Sequence, residues 1–336
     1  MNVIALEAPE WREFVESRAD ATLFHHPVWA RLLADCYGYR PMAVTFTSHG
    51  GPVGGIPAID VSTPIGGRRW ASLPFTDHCA PLAEDVGELS GHLVEVARAA
   101  RLDRLEIRGA LGGEPAVRTH GGFVRHIVPI ASEQHANWDR LFKNHRRNVR
   151  IAERFGVRVV RGVAASDVDT FYRLHVRTRR RLGVPVQPRR FFRLLRERLL
   201  EHGLGFVLTA THGGIPVAAA IFGTWNGTVL YKYSARDERY AKLDANYLLL
   251  WTAIRWANEN GYHTLDLGRS DQGQDLLRGF KSGWGAREEP LVYSVVSDAP
   301  ARMPSRRLEN AMGLVIRNTT PWVCRAAGEL FYRYAT

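Results

Sequence analysis

Apolar residues recur along this chain with two alternating periods. From Trp11 to Ala19 and from Pro27 to Gly38 they return every three to four residues, the signature of a helix with one buried face. Pro27 suits a first helical turn, and Gly38 the position just past a helix end. Between Pro41 and Ser62 the period falls to two on either side of a Gly50-Gly51-Pro52 turn, which predicts a hairpin. Ala71–Leu82 reads as a loop held between Pro74 and Pro81. A helix over Gly87–Leu102 leads into a strand over Asp103–Gly109, and the stretch to about Ile130 completes one α/β unit.

The clearest helix follows, from Asn137 as its cap to Gly156 as its stop. Trp138, Leu141, Phe142, Val149 and Ala152 form its apolar side, while Arg140, Lys143, Arg146, Arg147, Arg150 and Arg154 fall mostly opposite. The same grammar then repeats. A strand at Val157–Gly162 precedes helices at Asp167–Gly183 and Pro188–Gly203, and strands follow at Phe206–Gly214, Ile215–Gly227 and Thr228–Ala235. A long helix, Leu243–Gly261, leads to a strand ending at Gly268, a short helix carrying Lys281, and a last strand, Pro290–Val296. Two similar halves in a chain of 336 residues, too long for one typical core, predict a duplicated α/β architecture with mixed sheets. The expected divisions are residues 1–135, a basic connecting helix and strand at 136–160, a second domain at 161–300 and a helical tail at 301–336.

Composition narrows the class. There is no apolar run of about 18 residues and no charged-then-apolar start, so a cytoplasmic monomer is the default expectation. Cys36, Cys79 and Cys324 are far apart and in no metal-like spacing, which predicts reduced thiols and no metal site. The net charge of +11 is concentrated: residues 140–198 hold 18 basic and four acidic side chains. Such a belt either attracts polyanions or is a solvated helix face that keeps the protein soluble. It lacks interleaved aromatics and any helix-turn-helix, RRM or zinc-finger pattern, so sequence-specific nucleic-acid binding is not indicated.

Candidate chemistry gathers in the second half. In the strand Thr228–Ala235 a period of two puts Val229, Tyr231 and Tyr233 on one face. In Thr264–Gly268 the same rule sends Asp266 and Gly268 one way. Gly268 opens the loop Arg269-Ser270-Asp271, where the backbone can approach a ligand. On the next helix Leu277, Lys281 and Trp284 share a stripe that should face inward. A lysine there either snorkels along its stem or is held, partly desolvated, for use. Tyr247 and Trp251, one turn apart, are core or ligand contacts. Arg179, Arg180 and Arg181 form either a solvated run or a clamp for phosphate or carboxylate. Asp77 and His78 sit in the Pro-bounded loop, and His78 is a candidate general base or a polar turn residue.

Ala245-x-Tyr247-x-x-x-Trp251, the strand end Leu267-Gly268, and Phe280-Lys281 followed by Gly285 resemble the Fem family, tandem acyltransferase-fold enzymes that add amino acids to peptidoglycan precursors. Residues 24–38, 137–159 and 171–192 extend the resemblance over nearly the whole chain. It implies two GNAT-like domains in tandem and transfer of an acyl or aminoacyl group to an amine. It also implies that Lys281 stabilises the negative charge of the tetrahedral intermediate. Attack of an amine on an ester or thioester builds that charge on the carbonyl oxygen, where one well-placed donor is worth about 3–4 kcal/mol. On this reading Asp266 orients Lys281 or binds the acceptor ammonium, with Tyr231, Tyr233, Gly268, Arg269, Ser270, Tyr247 and Arg181 lining the substrate. Arg239, Lys242, Arg146 and Arg147 would meet the donor.

The segment before the long helix keeps Arg239 but has Lys242 and Asp244 where coenzyme A-dependent GNAT enzymes have small residues. Asp244 opposes a phosphate at that helix start. The donor is thus left as a carrier-protein phosphopantetheine thioester, acyl-CoA or aminoacyl-tRNA, with no permanently bound cofactor, and the basic belt fits the acidity of all three. The long coiled-coil arm of some Fem members is absent, and the tail resembles acetyltransferase-like proteins of exopolysaccharide or natural-product pathways. Two other classes stay open: a non-catalytic module that docks RNA or an anionic polysaccharide, and a protein touching the membrane surface through its C-terminal helix.

Overall fold

The computed structural model describes residues 2–48, 51–62 and 67–297. The expected tail at 301–336, and the membrane-contact reading that rests on it, lie outside these residues. The described chain forms two units, residues 2–124 with 290–297 and residues 125–289.

The first unit contains β1 (Asn2–Ile4), α1 (Pro9–Ser17), α2 (Pro27–Tyr37), β2 (Arg40–Ser48), β3 (Gly51–Asp60), β4 (Arg69–Ala71), β5 (Leu82–Ala83), α3 (Val86–Ala99) and β6 (Arg104–Ile107). It also holds the start of β7 (Val117–Pro129). In the second lie α4 (Gln134–Asp139), α5 (Lys143–Arg154), β8 (Arg158–Gly162), α6 (Ala165–Leu182), α7 (Arg189–Arg198), β9 (Gly205–His212), β10 (Ile215–Trp225) and β11 (Thr228–Arg236). They are followed by α8 (Ala245–Glu259), β12 (Thr264–Asp271), α9 (Asp275–Ser282) and β13 (Arg287–Val296), whose end returns to the first unit.

In the first unit the strand order is β1-β2-β3-β4-β6-β13, with β5 on β3. The expected hairpin is β2 and β3, paired antiparallel from Arg40↔Asp60 to Ser48↔Gly51. Met42, Val44, Ile56 and Ala58 alternate onto one face and meet Leu89, Leu93 and Val96 at helical spacing on α3. Asp85 caps α3 by accepting from the Glu88 amide at 3.0 Å, and Gly38 ends α2 in the left-handed region as expected.

The second unit runs β7-β12-β11-β10-β9-β8. α5 and α8 cover one face, burying Val149, Ala152, Leu249 and Ile254 against Phe206, Ala218, Ala220 and Phe222. α6 and α7 cover the other, where His175, Phe191 and Phe192 surround the Tyr233 ring. Residues read as a connecting piece therefore contribute to this unit's own core.

Three local expectations change. The helix expected over 137–156 is broken into α4 and α5, because the Phe142 amide donates to Gly283 O at 2.9 Å instead of continuing the spiral. Phe142 is left exposed, and Asn137 is buried inside α4, where its side chain bonds both backbone groups of Ala131 rather than capping. β7 was not anticipated, since Arg118, Thr119, His120, Gly121 and Gly122 hide its alternation in a solvent-facing first half. On β11 the register jumps from Tyr231↔Phe222 to Tyr233↔Ile221, leaving Lys232 as a bulge. Tyr231 consequently joins the α8 core while Tyr233 faces α6 and α7, so the two do not share the face that strict alternation predicted. Among the described residues no helix is long and apolar enough to cross a membrane.

Gly283 lies against the buried His145 ring, and a Cβ there would stand 2.0 Å from Cε1. Gly283→Ala is expected to cost about 1–3 kcal/mol by overpacking. A urea midpoint equal to that of the unsubstituted protein would show that the ring can move aside.

Candidate functional site

β12 begins as a regular strand and changes character at Gly268. Its parallel ladder with β11 runs over Thr228↔Thr264, Val229↔Leu265 and Leu230↔Asp266, whereas β11 stays paired with β10 as far as Arg236. Where that ladder stops, Gly268 takes φ +69°, a conformation that side chains resist. Asp266, 1% exposed, holds the turn: its Oδ1 accepts from the Gly268 amide at 2.7 Å. Its Oδ2 accepts from Arg125 Nε at 2.9 Å and lies 2.8 Å from Nη2, so the buried carboxylate is both hydrogen-bonded and paired.

Lys281 reaches this turn from α9. It is 5% exposed, and Nζ donates to Gly268 O at 3.0 Å and Arg269 O at 2.8 Å. A buried ammonium needs such acceptors. The inward stripe predicted for α9 is only partly realised: Lys281 and Trp284 are buried, but Leu277 is 39% exposed.

α9 is short and is fixed from outside itself. His145 of α5 bonds Phe280 O through Nε2 at 2.8 Å, and its ring packs edge-on to Tyr247 and Trp284. Tyr247 also meets Phe280 at 5.4 Å between centroids, so this half-buried tyrosine belongs to the packing that sets the position of Lys281. Gly285, at φ +78°, gives Arg140 room to pass.

The remaining expected residues separate into groups. Arg269 is half-buried beside Asp271, and Ser270 is buried on β12 with no hydrogen-bond partner for Oγ among the described residues. Tyr231 is half-buried in the α8 core, where burial pushes its phenol up to about 12. Arg239 bonds Asp237 through Nε and Nη2, and Arg181 lies 3.6 Å from Glu238. The Arg239 partner holds the Asp237 carboxyl below the usual range. Lys242 is exposed ahead of α8. Asp244, left-handed at the helix start, is raised above the ordinary carboxylate value by burial, against the opposing charges of Arg147 and Arg236. Arg146 and Arg147 join Lys143, Arg150 and Arg154 along the outer side of α5, with Glu153 among them. Asp77 and His78 are placed in the first unit: Tyr293 donates to Asp77 O at 2.6 Å, and the buried His78 ring packs edge-on to Phe24.

Arg125 and His126, both on β7, were not expected. Their signal was present as a cation and an imidazole at adjacent positions ahead of the apolar run Ile127-Val128, but it becomes legible only once β7 is recognised as a strand.

Residues 139–282 match the family model described as an acetyltransferase (GNAT) domain, so the protein is an enzyme of the acyltransferase class. FemX is similar in structure, at 15% identity and a TM-score of 0.71, covering 88% of this chain and 97% of that one. L-PGS from Bacillus licheniformis is similar at 15% identity and a TM-score of 0.55, covering 94% and 98%. A tandem GNAT protein from the clavulanic acid biosynthesis pathway gives 12% identity and a TM-score of 0.53, covering 89% and 98%. At these identities the likeness is one of fold, and the fold is the Fem-like tandem GNAT architecture that the motifs implied. No curated protein sequence matches the chain.

Arg125→Met would strand the Asp266 carboxylate in the interior. The expected cost is about 3 kcal/mol in urea unfolding. A loss within error of zero would mean that Asp266 does not need its guanidinium.

Proposed function

We propose that this chain forms an amide by transferring an acyl or aminoacyl group from an activated, acidic donor to an amine, with Lys281 stabilising the oxyanion. The observation that carries this reading is the buried Lys281 ammonium, docked on the left-handed Gly268 turn where the β11–β12 ladder ends. A strand edge released from its partner offers backbone groups to a ligand, and a desolvated cation beside it is worth far more to developing charge than one in water.

In the proposed reaction the amine nitrogen attacks the carbonyl carbon of an ester or thioester. The C–N bond forms as the carbonyl oxygen takes up negative charge, and the Lys281 ammonium lies against that oxygen. Collapse expels the donor's oxygen or sulfur, and the proton lost by the amine balances the one taken up by the leaving group. Asp266 acts through Gly268: by holding the turn, it keeps the two carbonyls where Lys281 needs them. Arg269 and Ser270, on β12 beyond the end of its ladder with β11, are the candidates for substrate contact.

The cations along α5 support an acidic donor. Carrier-protein thioesters, acyl-CoA and aminoacyl-tRNA share that acidity. The carboxyl of Asp244 at the head of α8 weighs against a phosphate seated there, so the outer side of α5 is the favoured approach. The acceptor is an amine of a small molecule, natural product or cell-envelope precursor.

Lys281→Ala is expected to lower kcat by about 10²–10³-fold with the circular dichroism spectrum retained, as for removal of one oxyanion donor. Donors presented one class at a time to an amine library, with products read by mass, supply the assay. Full turnover by a folded Lys281→Ala protein would reject the assignment. Arg146→Ala with Arg147→Ala should raise donor KM several-fold at unchanged kcat, an effect that shrinks as salt is added. Salt-independent kinetics would exclude α5 as the donor surface.

A further inference from the structure

α6 and α7 leave a cleft of about 440 Å³ between them, in the helix layer on the opposite side of the sheet from α5. Arg189, Arg190, Arg193 and Arg196 of α7 line one wall. The rings of Tyr172 and Phe192, with centroids 5.5 Å apart, give it an apolar floor. Burial of Phe191, Phe192, Leu194 and Leu195 fixes the rotation of α7 and turns its arginines outward.

Two of the four cations are committed. Arg189 Nη2 donates to Asp169 Oδ1 at 2.7 Å, bridging the two helices, and Arg196 pairs with Glu201. The other two are not. Arg190 is exposed and makes no ion pair among the described residues, while Arg193 reaches only Glu197, at 4.0 Å, a carboxylate that Arg196 shares at 3.4 Å.

This arrangement works against the helix that carries it. Cations in a first turn oppose the helix dipole, and α7 begins with Arg189 and Arg190 and has no acid there. Arg193 lies four residues from Arg189 and three from both Arg190 and Arg196, spacings at which like charges repel across a helix surface. An anion in the cleft relieves both costs.

We infer that the cleft binds a phosphate carried on a flat apolar body, a ligand of the nucleotide class. Two uncompensated guanidiniums match a dianion, and the three terminal oxygens of a phosphate monoester can meet both forks, whereas one carboxylate fills only one. Tyr172 and Phe192 supply the surface for the apolar body. The volume falls within the range of about 300–1,000 Å³ usual for small-molecule sites. The cleft shares no residue with the turn that holds Lys281, so its role does not depend on that lysine acting at an oxyanion.

Isothermal titration calorimetry on the full chain at low salt, with AMP, inorganic phosphate and glucose 6-phosphate as probes, tests the inference. AMP is expected to saturate one site and to bind several-fold tighter than the two probes that lack a flat apolar body. Arg190→Gln with Arg193→Gln should weaken AMP binding by about 10²-fold, about tenfold for each charged contact. The same double variant should keep or raise the urea midpoint, because repelling charges are removed from α7. Asp169→Asn releases Arg189 and should tighten AMP binding. Arg146→Ala with Arg147→Ala on α5 should leave AMP binding unchanged. Absence of saturable AMP binding overturns the inference, as does binding that survives in full in the double glutamine variant or is lost in the α5 variant. Equal affinity for all three probes also overturns it, because the aromatic floor would then contribute nothing.

Discussion

A buried ammonium held by two backbone carbonyls organises the second unit. Lys281 satisfies Gly268 O and Arg269 O at the one point where β12 departs from regular extension, and neither partner is comfortable without the other. The cation would be costly to bury without those carbonyls. Asp266 closes the arrangement by bonding the Gly268 amide while Arg125 neutralises it. Strand, turn and helix are therefore fixed by charge and hydrogen bonding as much as by apolar contact.

Packing then gives this centre its position. Because α9 spans only Asp275–Ser282, its own backbone bonds supply little stability, and its place is set by His145, Tyr247 and Trp284. The break between α4 and α5 serves the same end, since the Phe142 amide is spent on Gly283 O. An aromatic cluster of this kind tolerates little change in volume, which suits the close placement that the proposed oxyanion donor requires.

The charge distribution separates two tasks. Cations along the outer side of α5 face solvent, where their attraction for a polyanion is long-ranged and screened by salt. Lys281 is desolvated and, in the proposed reaction, acts only at contact. Several of the other basic residues are committed internally: Arg177 and Arg239 to Asp237, Arg236 to Glu238, Arg189 to Asp169. The large positive excess of the middle segment is thus only partly available to a partner.

Much of the architecture was legible in the residues. Helical and strand periods located α2, α3, α6, α8 and the β2–β3 hairpin, because those elements each bury one face and so carry an unmistakable pattern. Lys281 and Gly268 were visible as local chemistry, and the Phe280-Lys281 pair through the family resemblance. Other features depended on partners distant in the chain. The bulge at Lys232, which sends Tyr231 and Tyr233 to opposite faces, is set by pairing with β10. β7 has a solvent-facing half with no alternation to read, so the pairing of Arg125 with Asp266 is not legible in the residues alone. The sequence by itself determined most of the helices and strands, the class of fold and a lysine on the inward stripe of α9, because those follow from local period and residue chemistry. Only the tertiary structure decided which charges are paired, which face each tyrosine takes and which histidine holds the helix that carries the lysine, because those depend on register and packing between elements far apart in the chain.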